Sequence, residues 1–551
     1  MVLFLISLLP FAVLFVLLIA LRRPAYEAAP ISYAITVVLA FWVWEVSGSV
    51  LAASLLDTLV VFTEVLLIVA VALMVLNVMI ETGALDTIQT SMARVTSDDR
   101  VLAMLLAWGL VGFIEGIAGF GTPAVLAAPV LVHFGFSPLK AVAVSLIGNS
   151  TAVPFGAAGT PVVIGLRGLG LSDDVVASAV FQAAAVHAGM AIFVTCFITY
   201  LVTRGKEEGR FREFIPFAVF SALSFSIPYL AAAYLVGPEL PAIIGGASAI
   251  LAITLAANHG LMLPWKDGAG GKADVGDEAD RDEKPVEDAE PAQDPKPAQD
   301  PKPAQDPKPA RDPKPALSDI LRSFAPFMVM ALALIASRMI PGLREGTQGL
   351  TLSFGTFRDL ELDQEFSPLY TPYFHLTLAL ITALFVFRVT RKSLLEAAAA
   401  TYRRLRLASV VLVFIIALTQ LVLWSEVNQA GLPSIPEVLG EGFADYLGGA
   451  FVIFSPFLGA LGSFMTGSAT VSNLLFSGLQ VDSAEALGSP VARFLALQLI
   501  GAGVGNMISL SNIAMAAGAV GLEAREGKVM RLTGVPVAVV CIVAGLLFFT
   551  L

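Results

Sequence analysis

Apolar residues run along this chain in blocks, not at amphipathic intervals, and the blocks are long enough to cross a bilayer as helices. Such tracts fall near 2–21, 31–52, 57–80, 138–166, 174–203, 212–235, 240–262, 318–341, 369–390, 407–427, 488–517 and 532–551. Two more, 101–136 and 449–482, are interrupted at their middles by Gly, Thr, Ser and Pro. Each of these two reads as a hairpin that enters the membrane and turns back. The expected fold is therefore an all-α polytopic membrane protein with about 12 transmembrane helices plus two re-entrant hairpins.

The basic residues test that threading, because Lys and Arg gather on the cytoplasmic side. Arg22 and Arg23 put the end of the first span inside and the N-terminus outside. Arg94, Arg100, Arg204, Lys206, Arg210 and Arg212 then fall inside, as do Arg388, Arg391, Lys392, Arg403, Arg404, Arg406, Arg525, Lys528 and Arg531. Threading either interrupted tract as one full span would put a basic cluster outside. With both hairpins, each half holds three spans, a hairpin and two spans, and the halves have opposite orientation. Short echoes accompany this. Phe113-Ile-Glu-Gly-Ile-Ala-Gly-Phe-Gly-Thr122 aligns with Phe457-Leu-Gly-Ala-Leu-Gly-Ser-Phe-Met-Thr466, and Leu146-Ile-Gly-Asn-Ser150 with Leu499-Ile-Gly-Ala-Gly503. The expected organisation is an inverted repeat: 1–203 as first half, 204–262 as two connecting helices, 263–316 as linker and 317–551 as second half.

Composition agrees, with 57% hydrophobic and 14% charged residues against about 25% charged in soluble domains. The first tract is followed by its arginines where a cleavable leader would be preceded by them, so it reads as a permanent span. Much of the net charge of −11 sits outside the membrane part, since residues 267–294 hold 11 acids against 3 bases. That balance argues against nucleic acid as a partner. The linker repeats Asp-Pro-Lys-Pro-Ala from Asp294, Asp300, Asp306 and Asp312, a pattern suited to an extended spacer. Cys196 and Cys541 lie in apolar tracts without metal-ligand spacing.

One carboxylate stands out. Glu115 lies in Gly112-Phe-Ile-Glu-Gly-Ile-Ala-Gly-Phe-Gly-Thr-Pro-Ala124, after an unbroken apolar run from Val101. An ionisable group at membrane depth marks an ion or substrate path, and backbone broken by glycines survives there only when it is buried or lines a cavity. Glu115 is the expected proton-coupling residue, because burial lets a carboxyl group exchange a proton near neutral pH. Short polar groups at the hairpin tips and downstream breaks form the expected substrate site: Gly119, Gly121, Thr122, Asn149, Ser150 and Thr151 in the first half. Thr466, Gly467, Ser468, Thr470, Asn473, Asn506 and Ser509 supply the second, with Ser472, Ser511 and Asn512 nearby. Half-helix N-termini and neutral hydroxyl or amide groups suit a small carboxylate. His187 reads as a packed, hydrogen-bonded histidine, and His133 lies near a hairpin end. Asp57, Arg167 and Arg493 read as snorkelling near span ends, with Glu45 and Glu64 deeper. No Walker A, His-Glu-x-x-His or Gly-x-Ser-x-Gly signature occurs, and no second acid, base or metal cluster accompanies Glu115. No enzymatic activity, cofactor or resident metal is expected.

Glu115-Gly-Ile-Ala-Gly-Phe-Gly-Thr-Pro123 resembles the Glu-Gly-Ala-Ala-Gly-Phe-Gly-x-Pro signature of the L-lactate permease family. Ser455-Pro-Phe-Leu-Gly-Ala-Leu-Gly-Ser-Phe-Met-Thr-Gly-Ser468 is similar to its second signature, and Gly237-Pro-Glu-Leu-Pro241 and Met507-Ile-Ser509 to shorter stretches. The resemblance implies a proton symporter of lactate, glycolate and related 2-hydroxy monocarboxylates in a prokaryotic plasma membrane, of the wider ion-transporter architecture. The chain departs from the resembled pattern at Ala469, where the family carries Asp, and at Asn506, where it carries Lys. Both losses together leave the formal charge unchanged, and they leave open a sodium-coupled carrier of another small organic anion, with Asn149 and Ser150 holding the cation. The expected partners are thus a small carboxylate, H+ or Na+ and the lipid bilayer, with a homo-oligomer left open.

Overall fold

A computed structural model describes residues 1–21, 23–96, 98–119, 122–166, 169–204, 210–262, 316–353, 355–357, 360–361, 365–522 and 525–550. The linker assigned to 263–316 lies outside the described residues except for Ala316. Helices dominate, and the described strands are two-residue pairs in the segment between Leu352 and Phe366. Among the described residues, eleven helices are long and apolar enough to cross a membrane, or 12 if the bent pair Pro138–Asn149 and Val153–Val163 counts as one span. The chain is an all-α polytopic membrane protein.

The first half begins with α1 (Val2–Phe15, continued by a π turn to Ala20), α2 (Ala25–Trp42) and α3 (Gly48–Glu81). A short α4 (Ala84–Ala93) leads into α5 (Asp99–Ala103), a π turn (Met104–Leu110) and α6 (Val111–Ala118), then α7 (Thr122–His133). After these come α8 (Pro138–Asn149), α9 (Gly156–Val163) and α10 (Asp173–Thr203). Two helices, α11 (Arg210–Leu235) and α12 (Pro241–Asn258), connect to the second half. That half runs α13 (Leu317–Met339), the short α14 (Pro341–Gln348), α15 (Pro372–Val386), α16 (Arg391–Leu423) and α17 (Ile435–Leu447). It closes with α18 (Phe451–Thr466), α19 (Ala469–Ala486), α20 (Val491–Gly505), α21 (Leu510–Ala519) and α22 (Glu526–Thr550).

Several boundaries differ from the apolar blocks. The second and third helices meet at 43–47, earlier than expected, because Trp44 turns inward and Glu45 takes φ +50° before Ser47 caps α3. Glu45 is therefore an exposed loop residue, not a deep one. The tract 369–390 forms only the 15-residue α15, started by Pro372 and ended before Arg388 at φ +48°. Asp57 does not snorkel. It is buried, nine residues past Gly48 at the start of α3, and accepts a 2.8 Å hydrogen bond from Trp424 Nε1. Arg167 lies outside the described residues, and Arg493 is half-buried near the start of α20.

Contacts between the two halves are reciprocal. The third helices α3 and α16 pack on each other, α2 packs on α16 and α15 on α3. Likewise α1 meets α17 as α13 meets α4, α10 meets α20 as α22 meets α8, and α7 meets α21 as α19 meets α9. Across α3 and α16, Asn77 Nδ2 donates to Thr401 Oγ1 at 2.8 Å, and from the turn before α3 Trp44 Nε1 donates to the carbonyl of Pro433 in the turn before α17. The α8 and α20 helices reach their hairpins through glycine. A Cβ at Gly148 would overlap the carbonyl of Ala107, and one at Gly501 that of Pro456.

Candidate functional site

Both interrupted tracts fold back on themselves. Ser472 Oγ donates to the carbonyl of Gly459 at 2.7 Å and Ser455 Oγ to Gln480 Oε1 at 2.7 Å, so α18 and α19 run antiparallel away from a tip at Gly467. Gly467 sits at φ +75°, where a side chain is strained, and a Cβ there would also strike Ser511 Oγ. Its carbonyl accepts from Asn506 Nδ2 at 3.2 Å and Asn512 Nδ2 at 3.3 Å. In the first half α7 returns against α6 and against the π turn before it. Helix α6 ends at Gly119, φ +60°, which abuts Ala157.

The downstream breaks lie beside these tips. Between α8 and α9 the backbone passes through Pro154, and at the start of α9, after Gly156, Ala157, Ala158 and Gly159 all have positive φ (45°, 52° and 78°). A left-handed conformation costs an alanine of order 1–2 kcal/mol, so two in succession must be held by their surroundings. On the other side α20 gives way at Asn506 and α21 begins after Ser509.

A cavity opens where the four features meet. Its lining is Glu115, Gly119, Val153, Gly156, Ala157, Pro161, Ser468, Ala469, Thr470 and Asn506. Among the described residues of that lining, Glu115 is the one ionisable side chain, and none is Lys, Arg or His. The carboxylate is 2% exposed, and its Oε2 accepts from Asn149 Nδ2 at 3.0 Å. Asn149 Oδ1 is buried with no hydrogen-bond partner among the described residues. A Cβ on Gly156 would come 2.6 Å from Glu115 Oε1, so the glycine is what lets the carboxylate face the break.

Of the residues singled out from sequence, Glu115, Gly119, Ser468, Thr470 and Asn506 line the cavity. Others stand behind it. Ser150 Oγ donates to the carbonyl of Ile147, Thr151 offers its carbonyl to the hydroxyl of Tyr229, and Thr466 Oγ1 donates to the carbonyl of Gly462. Asn473 Nδ2 donates to the carbonyl of Pro161 at 2.8 Å, a bond that ties the second hairpin to the first half. Ser509 Oγ pairs with Ser511 Oγ beside Gly467. Gly121 and the side chain of Thr122 lie outside the described residues. Ala469 and Asn506, the two departures from the resembled pattern, line the same cavity as Glu115.

Sequence reasoning missed Val153, Gly156, Ala157 and Pro161 because none carries a polar side chain. The signal was the run Pro154-Phe-Gly-Ala-Ala-Gly-Thr-Pro161, too rich in proline and glycine for a continuous helix. Also missed was the chain behind the cavity in which Gln480 Nε2 donates to Gln498 Oε1, and Gln498 Nε2 to Asn473 Oδ1. His187 is buried as expected, yet its Nε2 has no hydrogen-bond partner among the described residues and faces Gly503 across the α10–α20 contact. His133 is exposed. The described residues contain no group of three or more His, Cys, Asp or Glu able to hold a metal ion.

Comparison with known proteins agrees with this architecture. The chain is 27% identical to the L-lactate permease of Escherichia coli strain K12 over 540 residues, 96% of this chain and 92% of that one. It is 27% identical to a putative L-lactate permease of Haemophilus influenzae over 465 residues, covering 84% and 82%. The glycolate permease GlcA of Escherichia coli strain K12 is 24% identical over 568 residues, covering 96% and 92%. The sequence profile described as L-lactate permease matches residues 3–359 and 354–551, hence almost the entire length, and the chain belongs to the L-lactate permease family.

Proposed function

We propose that the protein carries a small 2-hydroxy monocarboxylate, L-lactate or glycolate, across the membrane together with a proton held by Glu115. The observation that carries this reading is the cavity lined by Glu115 with no cationic side chain among its described lining residues. Two carboxylates about 4 Å apart repel by roughly 4 kcal/mol at an effective dielectric of 20, which would discourage a carboxylate substrate from sharing the cavity with ionised Glu115. Once Glu115 is protonated the repulsion disappears, so binding of the anion requires the proton. Ser468, Thr470 and Asn506 offer neutral donors, and the N-terminal turn of α19 places the positive end of its dipole on the same wall. Neutral donors and a dipole favour a carboxylate without holding it so firmly that release fails.

The two halves act as an inverted repeat in this reading, with termini outside and the 263–316 linker in the cytoplasm. The reciprocal pairings α1 with α17 and α13 with α4, or α7 with α21 and α19 with α9, support a two-fold relation between halves. Transport would then follow from exchanging the packing of one half for that of the other around the shared cavity.

Asn149 Oδ1, buried and without a hydrogen-bond partner among the described residues, favours a second reading in which it and the Glu115 carboxylate hold Na+. Reconstituted vesicles separate these. Uptake of labelled L-lactate or glycolate driven by an inward acid gradient, indifferent to sodium, supports proton symport. Uptake that follows sodium and ignores the pH gradient supports the second reading. Uptake of neither acid under either gradient rejects both.

A further inference from the structure

Away from the cavity, the guanidinium of Arg338 at the end of α13 is held in an unbalanced way. Its side chain is 7% exposed. Nε and Nη2 both donate to one oxygen, Glu239 Oε1, at 3.0 and 2.6 Å, and Nη2 donates again to the carbonyl of Tyr370 at 2.8 Å. The Tyr370 ring lies beneath, 3.4 Å from centroid to guanidinium carbon. Nη1 is buried and has no partner among the described residues. An Arg–carboxylate pair normally engages two nitrogens with two oxygens, so here one donor is left for another acceptor. His375, the neighbouring titratable group on α15, does not supply it, being paired with Ser337 Oγ and the carbonyl of Thr371.

The position matters as much as the idle donor. Glu239 lies in the turn between α11 and α12, and that turn sits on the strained break. A Cβ at Gly159 would come 2.7 Å from the Pro238 carbonyl and 2.9 Å from Glu239 N. Gly156, Ala157 and Pro161 of the same break line the cavity, whose described lining residues include no cationic side chain.

We propose that Arg338 is a carboxylate-binding station on the approach to the cavity, where an incoming monocarboxylate takes Nη1 and then competes with Glu239 for the rest of the guanidinium. Displacing Glu239 frees from α13 the 237–239 turn, which packs directly on the 157–159 break. The site rests on the carboxylate reading of function given above, and its test is arranged to fail separately.

In vesicles, Arg338→Gln should raise the KM for L-lactate about tenfold or more, because the anion loses its cation. Glu239→Gln should lower KM, because the competitor is gone, and the double variant should behave as Arg338→Gln. Arg338→Lys, which keeps the charge, should fall between. A pair that merely braces the fold would shift both single variants the same way or leave KM unchanged, and that result overturns the proposal. As a second readout, the purified protein is melted in sodium acetate and in sodium chloride at equal ionic strength. Acetate should raise the midpoint of Glu239→Gln and not that of Arg338→Gln; equal responses count against the site. If the wild type takes up neither lactate nor glycolate while the acetate response still depends on Arg338, the transport reading fails and the anion site stands.

Discussion

At the scale of single residues, the proposed site turns on what surrounds one carboxylate. Glu115 is bonded by Asn149 and faces a glycine, so it stays unencumbered on the side of the cavity. Glu115→Gln keeps shape and hydrogen bonding but removes the proton. We expect the variant to bind and exchange labelled substrate across vesicles yet lose accumulation against a gradient; concentrative uptake driven by pH in this variant would assign the proton to another group. Gly156→Ala should impair uptake while leaving the fold intact, because its methyl would meet Glu115 Oε1 at 2.6 Å and push the carboxylate aside. The check is uptake alongside thermal stability, and unchanged uptake would mean the carboxylate need not face the break.

Among elements, glycine governs how closely the broken helices approach the hairpins. Gly148 meets the carbonyl of Ala107 and Gly501 that of Pro456, so even a methyl forces the helices apart. Gly148→Ala and Gly501→Ala should each destabilise the protein by about 1–3 kcal/mol, the usual range for overpacking, seen as a lower melting midpoint in detergent. Gly518, with open space around it in α21, is the control: Gly518→Ala should leave the midpoint unchanged or slightly higher. The hairpins themselves were legible as Gly, Ser and Thr interruptions in apolar sequence. Their unequal limbs were not, since α5 to α6 together span 20 residues and α7 only 12.

For the whole molecule, the linker and the two-fold pairing make opposite predictions about what can be removed. Residues 268–314 carry few apolar side chains to bury, so their deletion should leave uptake within a few-fold of wild type, measured at matched expression. By contrast, the α10–α20 and α22–α8 contacts tie the halves together, so neither half alone should show transport when expressed and reconstituted. Activity of an isolated half would break the shared-cavity reading.

What the sequence by itself determined is the all-α, multi-span class of the fold, because apolar blocks of about twenty residues are local properties summed along the chain. Glu115 was legible for the same reason: a lone charge in such a block is conspicuous without any partner in view. Tertiary structure alone decided which polar groups reach it. Ser468, Thr470 and Asn506 converge on Glu115 from more than 350 residues away, whereas Thr466 and Ser150 spend their hydroxyls on nearby carbonyls. Equally, the strained turn at Ala157 and Ala158 and the pairing of Arg338 with Glu239 depend on contacts between distant helices. Composition does not encode such contacts one residue at a time.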